Sequence, residues 1–362
     1  MRAEAIVDVS AIKFNVELLK KTSGTKLLAV VKADAYGHGL VPVAHAALSA
    51  GADYLGVALL EEAVALREAG ITAPILAWLV QPGSDFSQAI ALDIDIAAAS
   101  LKALSEIAAA SRRMQKKARV HLEVDTGMTR GGFLAEWDQL DSEHVKDVEI
   151  VGIFSHFARA DEPNEAQNKK QLDNFEARIS ELNAKGINPI RHISNTAATF
   201  SNRDARLDMV RVGIAMYGLS PLGRNENYQP IMKVRARLVL VKELPAGHPI
   251  GYGATVATQR DTKIGIVGMG YADGIPRIAH DAGIWFSGHR APIIGRVSMD
   301  QFVVDLGAGT KAKSGDWVTI FGNGSHGEYT ADDWGAASGS INYEIVTRIG
   351  PRVPRIYSAH VY

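Results

Sequence analysis

Short apolar runs recur along the first 220 residues, each giving way to a polar or glycine-containing loop and then to a helical pattern. The runs are KLLAVV (26–31), YLGVAL (54–59), PILAWL (74–79), IDIAAA (94–99), ARVHLEV (118–124), VEIVGIF (148–154), PIRHIS (189–194) and DMVRVG (208–213). Between most of them lie amphipathic or alanine-rich stretches such as AIKFNVELLKK, EEAVALREAG, SLKALSEIAAA and NFEARISELNAKG. Strands that alternate with helices pair in parallel through right-handed crossovers. Eight such units predict a closed (β/α)8 barrel of the TIM type rather than an open sheet.

From about residue 226 the helical periodicity fades. KVRARLVLVKEL, TKIGIVGMG, APIIGRVSMDQFVVDL and DWVTIFG are β-rich and punctuated by glycine and proline, the pattern of an antiparallel sheet. One short helix, TADDWGAAS, opens with a threonine cap and acidic residues in its first turn. The polar stretch PLGRNENYQP (221–230) is the expected junction. The predicted α/β organisation is a barrel over 9–225, followed by a mainly antiparallel β domain over 226–362 that takes in residues 1–8.

Composition narrows the chemistry. Of 362 residues, 47% are apolar and 22% charged, enough for a large core. A net charge of -1 argues against nucleic acid or an anionic membrane as partner, so a small-molecule substrate is expected. The absence of cysteine excludes disulfides, thiolate metal sites and a cysteine nucleophile. MRAEAIVDVS has no apolar leader and no stretch nears 18 apolar residues, so a cytoplasmic protein is expected.

Barrel enzymes carry their sites at the C-terminal strand ends. There the first run delivers Lys32 and then Tyr36, the fifth leads through DTGMTRGG to Arg130, and the sixth ends at His156. The seventh gives Asn195 and Thr196, and the eighth gives Arg211, Gly213 and Ile214. The loops after the last two strands are the usual phosphate site of this fold. An amine facing a phosphate site, among guanidinium and aromatic neighbours, fits covalent attachment of pyridoxal phosphate. His156 has no second ligand at metal spacing, so no metal is expected.

In order, VVKADAYGHG, DTGMTRGG, SHFARAD, ISNTAA, MVRVGIAMYG, GYGAT, GYADG, GRVSMDQ, INYE and RVPRIY resemble the motifs of the bacterial alanine racemases. The resemblance runs from about residue 8 to the C-terminus. It implies pyridoxal 5'-phosphate as cofactor and a homodimer whose active sites are shared between subunits. It also implies interconversion of L- and D-alanine, hence D-alanine supply for peptidoglycan. By the same resemblance Lys32 is the cofactor lysine and one base, and Tyr252 is the opposite base, given by the other subunit. Tyr36, Asn195, Thr196, Gly213, Ile214 and Tyr343 resemble the phosphate and cofactor binders. Arg211 resembles the residue facing the pyridine nitrogen, His156 its neighbour, and Arg130 the residue near the ring hydroxyl. Tyr271 and Met299 resemble substrate-pocket residues of the partner chain.

Two bases on opposite faces of one carbon suit racemisation. Lysine and tyrosine have ordinary pKa values near 10.4 and 10, so each is about a thousandth deprotonated at pH 7, a deficit of roughly 4 kcal/mol. Burial and the cations Arg130 and Arg211 are expected to lower at least one of them. An arginine at the pyridine nitrogen cannot accept a proton, which keeps that nitrogen unprotonated and the electron sink weak. Two departures from the family stand out. Glu123 occupies the place where many relatives have a carbamylated lysine, and can offer Arg130 a permanent negative partner; an ordinary solvated strand-end glutamate is the plainer alternative. Thr196 replaces a serine and keeps the hydroxyl. GNGSHG (322–327) matches G-x-G-x-x-G, but no βαβ context follows, so it reads as a loop. Rival readings are a racemase of serine or lysine and a non-catalytic pyridoxal-phosphate carrier. A related decarboxylase of basic amino acids is disfavoured because those enzymes use a cysteine.

Overall fold

The computed structural model describes residues 1–223 and 227–359; residues 224–226, within the expected junction, and 360–362 lie outside the described residues. The chain forms two compact units. One comprises Ile12–Ala35 and Leu40–Tyr228, the other Met1–Ala11, Tyr36–Gly39 and Gln229–Tyr362. The first nine strands are β1 (Ala3–Asp8), β2 (Lys26–Val30), β3 (Tyr54–Val57), β4 (Ile75–Ala77), β5 (Asp95–Ala98), β6 (Ala118–Glu123), β7 (Val148–Phe154), β8 (Ile190–His192) and β9 (Met209–Val212).

Strands β2 to β9 make the larger unit's sheet, eight strands in the order β8-β7-β6-β5-β4-β3-β2-β9, with every pairing parallel. Two further bonds join the ends of that order. Arg211 N–H donates to the Ser194 carbonyl at 2.9 Å and Asp208 N–H to the Arg191 carbonyl at 3.2 Å, so the sheet closes on itself. The expected barrel is present. Its strands are short and covered on both faces, which is why they read as continuous apolar runs rather than alternating ones. Helices wrap the outside. Leu101–Met114 starts where the Ser100 hydroxyl accepts the Ala103 N–H at 3.2 Å. Ala166–Ala184 buries Leu172, Phe175, Ile179 and Leu182 along one stripe.

The smaller unit is built on β10 (Met232–Leu244), β11 (Pro249–Ile250), β12 (Val256–Ala257), β13 (Thr262–Val267), β14 (Gly283–Phe286), β15 (His289–Pro292), β16 (Phe302–Asp305), β17 (Trp317–Phe321) and β18 (Arg355–Ser358). Its main sheet runs β15-β14-β17-β10-β1-β18, with β13 paired off β10 and β16 paired on β13. All pairings are antiparallel except β1 with β18. The helix expected at TADDWGAAS spans Ala331–Ala337, and the Thr330 hydroxyl caps Asp333 N–H at 3.1 Å. One short helix was too few: Asn342–Thr347 forms a second. It starts at Ile341 with no side-chain cap, so it carries no start signal. Among the described residues no helix is long and apolar enough to cross a membrane.

Candidate active site

Arg211 is 6% exposed on β9, and its guanidinium is held by five acceptors. Nη1 donates to His192 Nδ1 at 3.2 Å and to the His192 carbonyl at 2.9 Å. Nη2 donates to the Ser155 carbonyl at 2.7 Å, His156 Nδ1 at 3.0 Å and the Ile193 carbonyl at 3.2 Å. The Phe154 ring lies beneath, its centroid 5.5 Å from the guanidinium carbon. Nε–H alone has no acceptor among the described residues. Burial lowers the guanidinium pKa to about 10, partly offset by the charge of Glu123, so it is still a cation at neutral pH. Because arginine only donates, both imidazoles present a lone pair at Nδ1. Burial, then the charges of Arg211, Arg130 and Lys32, lower His156 to about 3.

Lys32 lies two residues past the end of β2, half-buried, with Nζ 5.8 Å from the Trp78 ring centroid. Burial and then the charge of Arg130 lower its pKa, opposed by Glu62. Of the two arginines expected to depress it, Arg130 is the one that does. Behind Lys32 the chain makes a left-handed turn, with Ala33, Asp34, Ala35 and Tyr36 at φ 53°, 53°, 52° and 53°. Left-handed conformation costs about 1–2 kcal/mol per residue outside glycine, so four in a row need support. Ala35 N–H donates to the Val31 carbonyl at 2.8 Å, and Leu40 N–H to Asp34 Oδ1 at 2.7 Å. Glu62 Oε1 accepts from Ala33 N–H at 2.6 Å, while its Oε2 accepts from Ala58 and Leu59 N–H at 2.9 and 3.0 Å. Glu62 is thus a site residue the sequence reading missed. A glutamate in the first turn of a helix carries no signal that it reaches another loop.

Arg130 rides on a loop folded by Asp125, whose Oδ1 accepts from the N–H groups of Gly127, Met128 and Thr129 at 2.9, 3.1 and 3.1 Å. The loop returns through Phe133 N–H to the Glu123 carbonyl at 2.7 Å. Glu123, Asp125, Arg130, Ser155 and His156 line one open cleft. Burial raises the Glu123 carboxyl, against the pull of Arg211 and Arg130, so it is no ordinary solvated strand-end glutamate. No ion pair or side-chain hydrogen bond joins Glu123 to Arg130 in the described residues; Glu123 is a negative partner to Arg130 and Arg211 through space. Asn195 caps the helix Thr196–Ser201, its Oδ1 accepting from Ala198 N–H at 3.0 Å. Thr196 Oγ1 accepts from Gly213 N–H at 3.0 Å, and a helical turn, Ile214–Tyr217, begins one residue later. Two turn starts therefore sit side by side, with first-turn amides that no intrahelical carbonyl satisfies.

The remaining expected residues stand in the smaller unit. Tyr36 and Tyr343 place their rings 6.1 Å apart, and burial raises Tyr36 above the ordinary tyrosine range. Tyr252 lies between the paired strands β11 and β12 and is 71% exposed. Tyr271 and Met299 are brought together by backbone bonds, Tyr271 N–H to the Ser298 carbonyl at 3.1 Å and Ala272 N–H to the Met299 carbonyl at 3.0 Å. Any Cβ at Gly270 would come within 2.3 Å of that Met299 carbonyl, so the approach requires glycine.

His156 and His192 are both held neutral, His192 well below its ordinary 6.5 through burial and then Arg211 and His121. The unfolded chain binds a proton at each below about pH 6.5; the folded chain does not. Stability from this source is complete above that pH and is lost as pH falls toward the folded values. Urea unfolding free energy should drop from pH 6.5 to 5 by about 1.4 kcal/mol per pH unit for each histidine. His156→Gln should remove one proton's share of the slope, and an unchanged slope would contradict the buried neutral state.

The family model "Alanine racemase, N-terminal domain" matches residues 7–221, and "Alanine racemase, C-terminal domain" matches residues 231–357. An alanine racemase of Salinispora arenicola is 47% identical over 366 residues, covering 98% of each chain. The crystal structure of alanine racemase from the D-cycloserine producer Streptomyces lavendulae superposes with a TM-score of 0.96 at 43% identity, covering 100% of this chain and 98% of that one. Alanine racemase from Bartonella henselae, solved with covalently bound pyridoxal phosphate, gives a TM-score of 0.91 at 31% identity, covering 99% and 100%. With both domain models matched in order and full-length relatives this close, the chain belongs to the alanine racemase family.

Proposed function

We propose that the protein is a pyridoxal-phosphate-dependent isomerase that interconverts L- and D-alanine, with Lys32 and Tyr252 as its two bases. The observation that carries the reading is Lys32, an amine at a barrel strand end whose pKa burial and Arg130 lower. Lowering that pKa enlarges the fraction of free amine, the form that both condenses with an aldehyde and takes a proton. The residues present suit the cofactor. The one guanidinium N–H of Arg211 that lacks an acceptor matches a pyridine nitrogen lone pair. The adjoining turn starts at Thr196 and Ile214 suit a phosphate, with Asn195 and Gly213 beside them; by the family resemblance Tyr36 and Tyr343 are further cofactor binders. Bound there, pyridoxal phosphate supplies the electron sink that makes the alanine α-proton removable.

Lys32 and Tyr252 then hold or move that proton on the two faces of the α-carbon. His156, neutral, hydrogen-bonds Arg211 and adds no charge beside the ring. Arg130 keeps Lys32 depressed and would face the ring hydroxyl of the bound cofactor. Tyr252 and Met299 are 71% and 53% exposed, which supports their being covered by a second copy of the chain. The protein acts as a homodimer in which Tyr252, Tyr271 and Met299 of one copy complete the site of the other. Its role in the cytoplasm is to supply D-alanine for peptidoglycan.

With added pyridoxal phosphate, the circular dichroism of L-alanine should decay to zero. Lys32→Ala should neither retain the cofactor through gel filtration nor racemise. Tyr252→Phe should lose racemisation by about 10²- to 10⁴-fold while still exchanging the α-proton of one enantiomer with solvent. Signal decay with L-serine or L-lysine but not L-alanine would overturn the substrate assignment. Arg211→Glu, which can accept the pyridinium proton, should gain transamination, seen as pyruvate formation; no gain would remove the proposed reason for an arginine there.

A further inference from the structure

A line of polar side chains runs through the interior of the barrel, where apolar side chains normally pack. It starts at Arg211 on β9 and passes to His192, the last residue of β8. His192 Nε2 meets His121 Nδ1 on β6 at 2.9 Å, and His121 Nε2 meets Asp95 Oδ2, the first residue of β5, at 3.2 Å. Asp95 also accepts from Arg119 Nε at 2.6 Å and from the Tyr54 hydroxyl at 3.2 Å. His121 and His192 are 0% exposed and Asp95 is 1%.

The direction of every bond in this line is fixed. Arg211 can only donate, so His192 Nδ1 accepts and its single proton sits on Nε2. That proton is donated to His121 Nδ1, so the His121 proton in turn sits on Nε2 and goes to Asp95. The reverse arrangement would leave His192 with two acceptor nitrogens and no proton. Ring rotation is blocked as well. Phe154 stacks on His192 with centroids 5.2 Å apart and planes 13° from parallel. Any Cβ on Gly152 would lie 2.0 Å from His121 Nδ1, so the ring fits only against glycine.

We propose that Asp95, through His121 and His192, is a positioning residue for Arg211, fixing the guanidinium's orientation from the opposite, N-terminal end of the barrel. The inference rests on the racemase reading for what Arg211 then does, but not for the relay itself. Two alternatives fail on chemistry. As core filling, three buried polar groups are poorer than apolar ones of equal volume. As a proton path, the relay would have to move a proton from a guanidinium to a carboxylate that is more acidic by far. Asp95 itself supports the assignment: burial alone would raise it, yet the hydrogen bonds from His121 and Arg119 hold it below the ordinary aspartate range, so the line ends on an anion.

The test uses the full-length protein with and without pyridoxal phosphate. Imidazole ¹⁵N NMR at pH 7.5, assigned with His121→Gln and His192→Gln, should show both rings protonated on Nε2 alone; a proton on Nδ1 of either would overturn the proposal without any variant at Asp95. Asp95→Asn keeps an acceptor for one partner but sets an amide against the other. It should mix the His121 tautomers, lower kcat by about 10- to 100-fold with the alanine KM changed by less than about threefold, and speed loss of the cofactor. Folded Asp95→Asn with wild-type kcat and tautomers would overturn it. Should the wild-type protein show the expected tautomers yet racemise nothing, the racemase reading fails and the relay stands.

Discussion

A guanidinium buried inside a closed β-barrel is the constraint around which the site is arranged. Arg211 must remain charged where charge is costly, and the structure meets the cost with three backbone carbonyls, two imidazole lone pairs, an aromatic face and the nearby carboxylate of Glu123. Each partner is then constrained in turn. His156 and His192 must be neutral and must carry their protons on the nitrogen away from Arg211. Glu123 is drawn toward the ionised form by two arginines while burial resists it. Arg211 also belongs to the fold's closure, since its backbone N–H donates to the Ser194 carbonyl just past β8. Arg211 pairs with Leu28 across to β2, the strand that delivers Lys32. A shift in this register would therefore move charge and amine together.

The second constraint is local. Four consecutive non-glycine residues after Lys32 adopt a conformation that L-residues avoid, and the Glu62 carboxylate ties the first of them to the start of a neighbouring helix. Strain of this kind persists only where the surroundings over-determine it, and it lies next to the amine on which the proposed chemistry turns. Rigidity there serves orientation. A lysine on a mobile loop would spend part of its time away from the site.

Much of this was legible in the sequence. Parallel strands buried on both faces leave unmistakable apolar runs, and the ends of those runs point to Lys32, His156, Asn195 and Arg211 without any fold in hand. The β domain was legible as β-rich. Its second helix was not, because Ile341 in the cap position gives no start signal. The polar line inside the barrel was hidden for a different reason. His121 and His192 interrupt their runs by one residue each, and nothing local says that four strands will bring them into register with Asp95. Glu62 was hidden likewise, since its partners are backbone N–H groups, which every residue except proline has. The left-handed turn has no signature at all, because alanine, aspartate and tyrosine are ordinary residues for a right-handed helix. Contacts between distant strands, and backbone states set by tertiary support, are what a linear pattern cannot carry.

The most direct test of two bases acting from opposite faces is to convert L-alanine in deuterium oxide and follow the α-hydrogen of both enantiomers by ¹H NMR in the first few per cent of reaction. Two bases exchanging with different solvent-derived protons predict D-alanine that is deuterated from its first appearance, formed from L-alanine that is still protiated. D-alanine that keeps the original α-proton would mean a single base carrying it across, and would contradict the assignment of Lys32 and Tyr252.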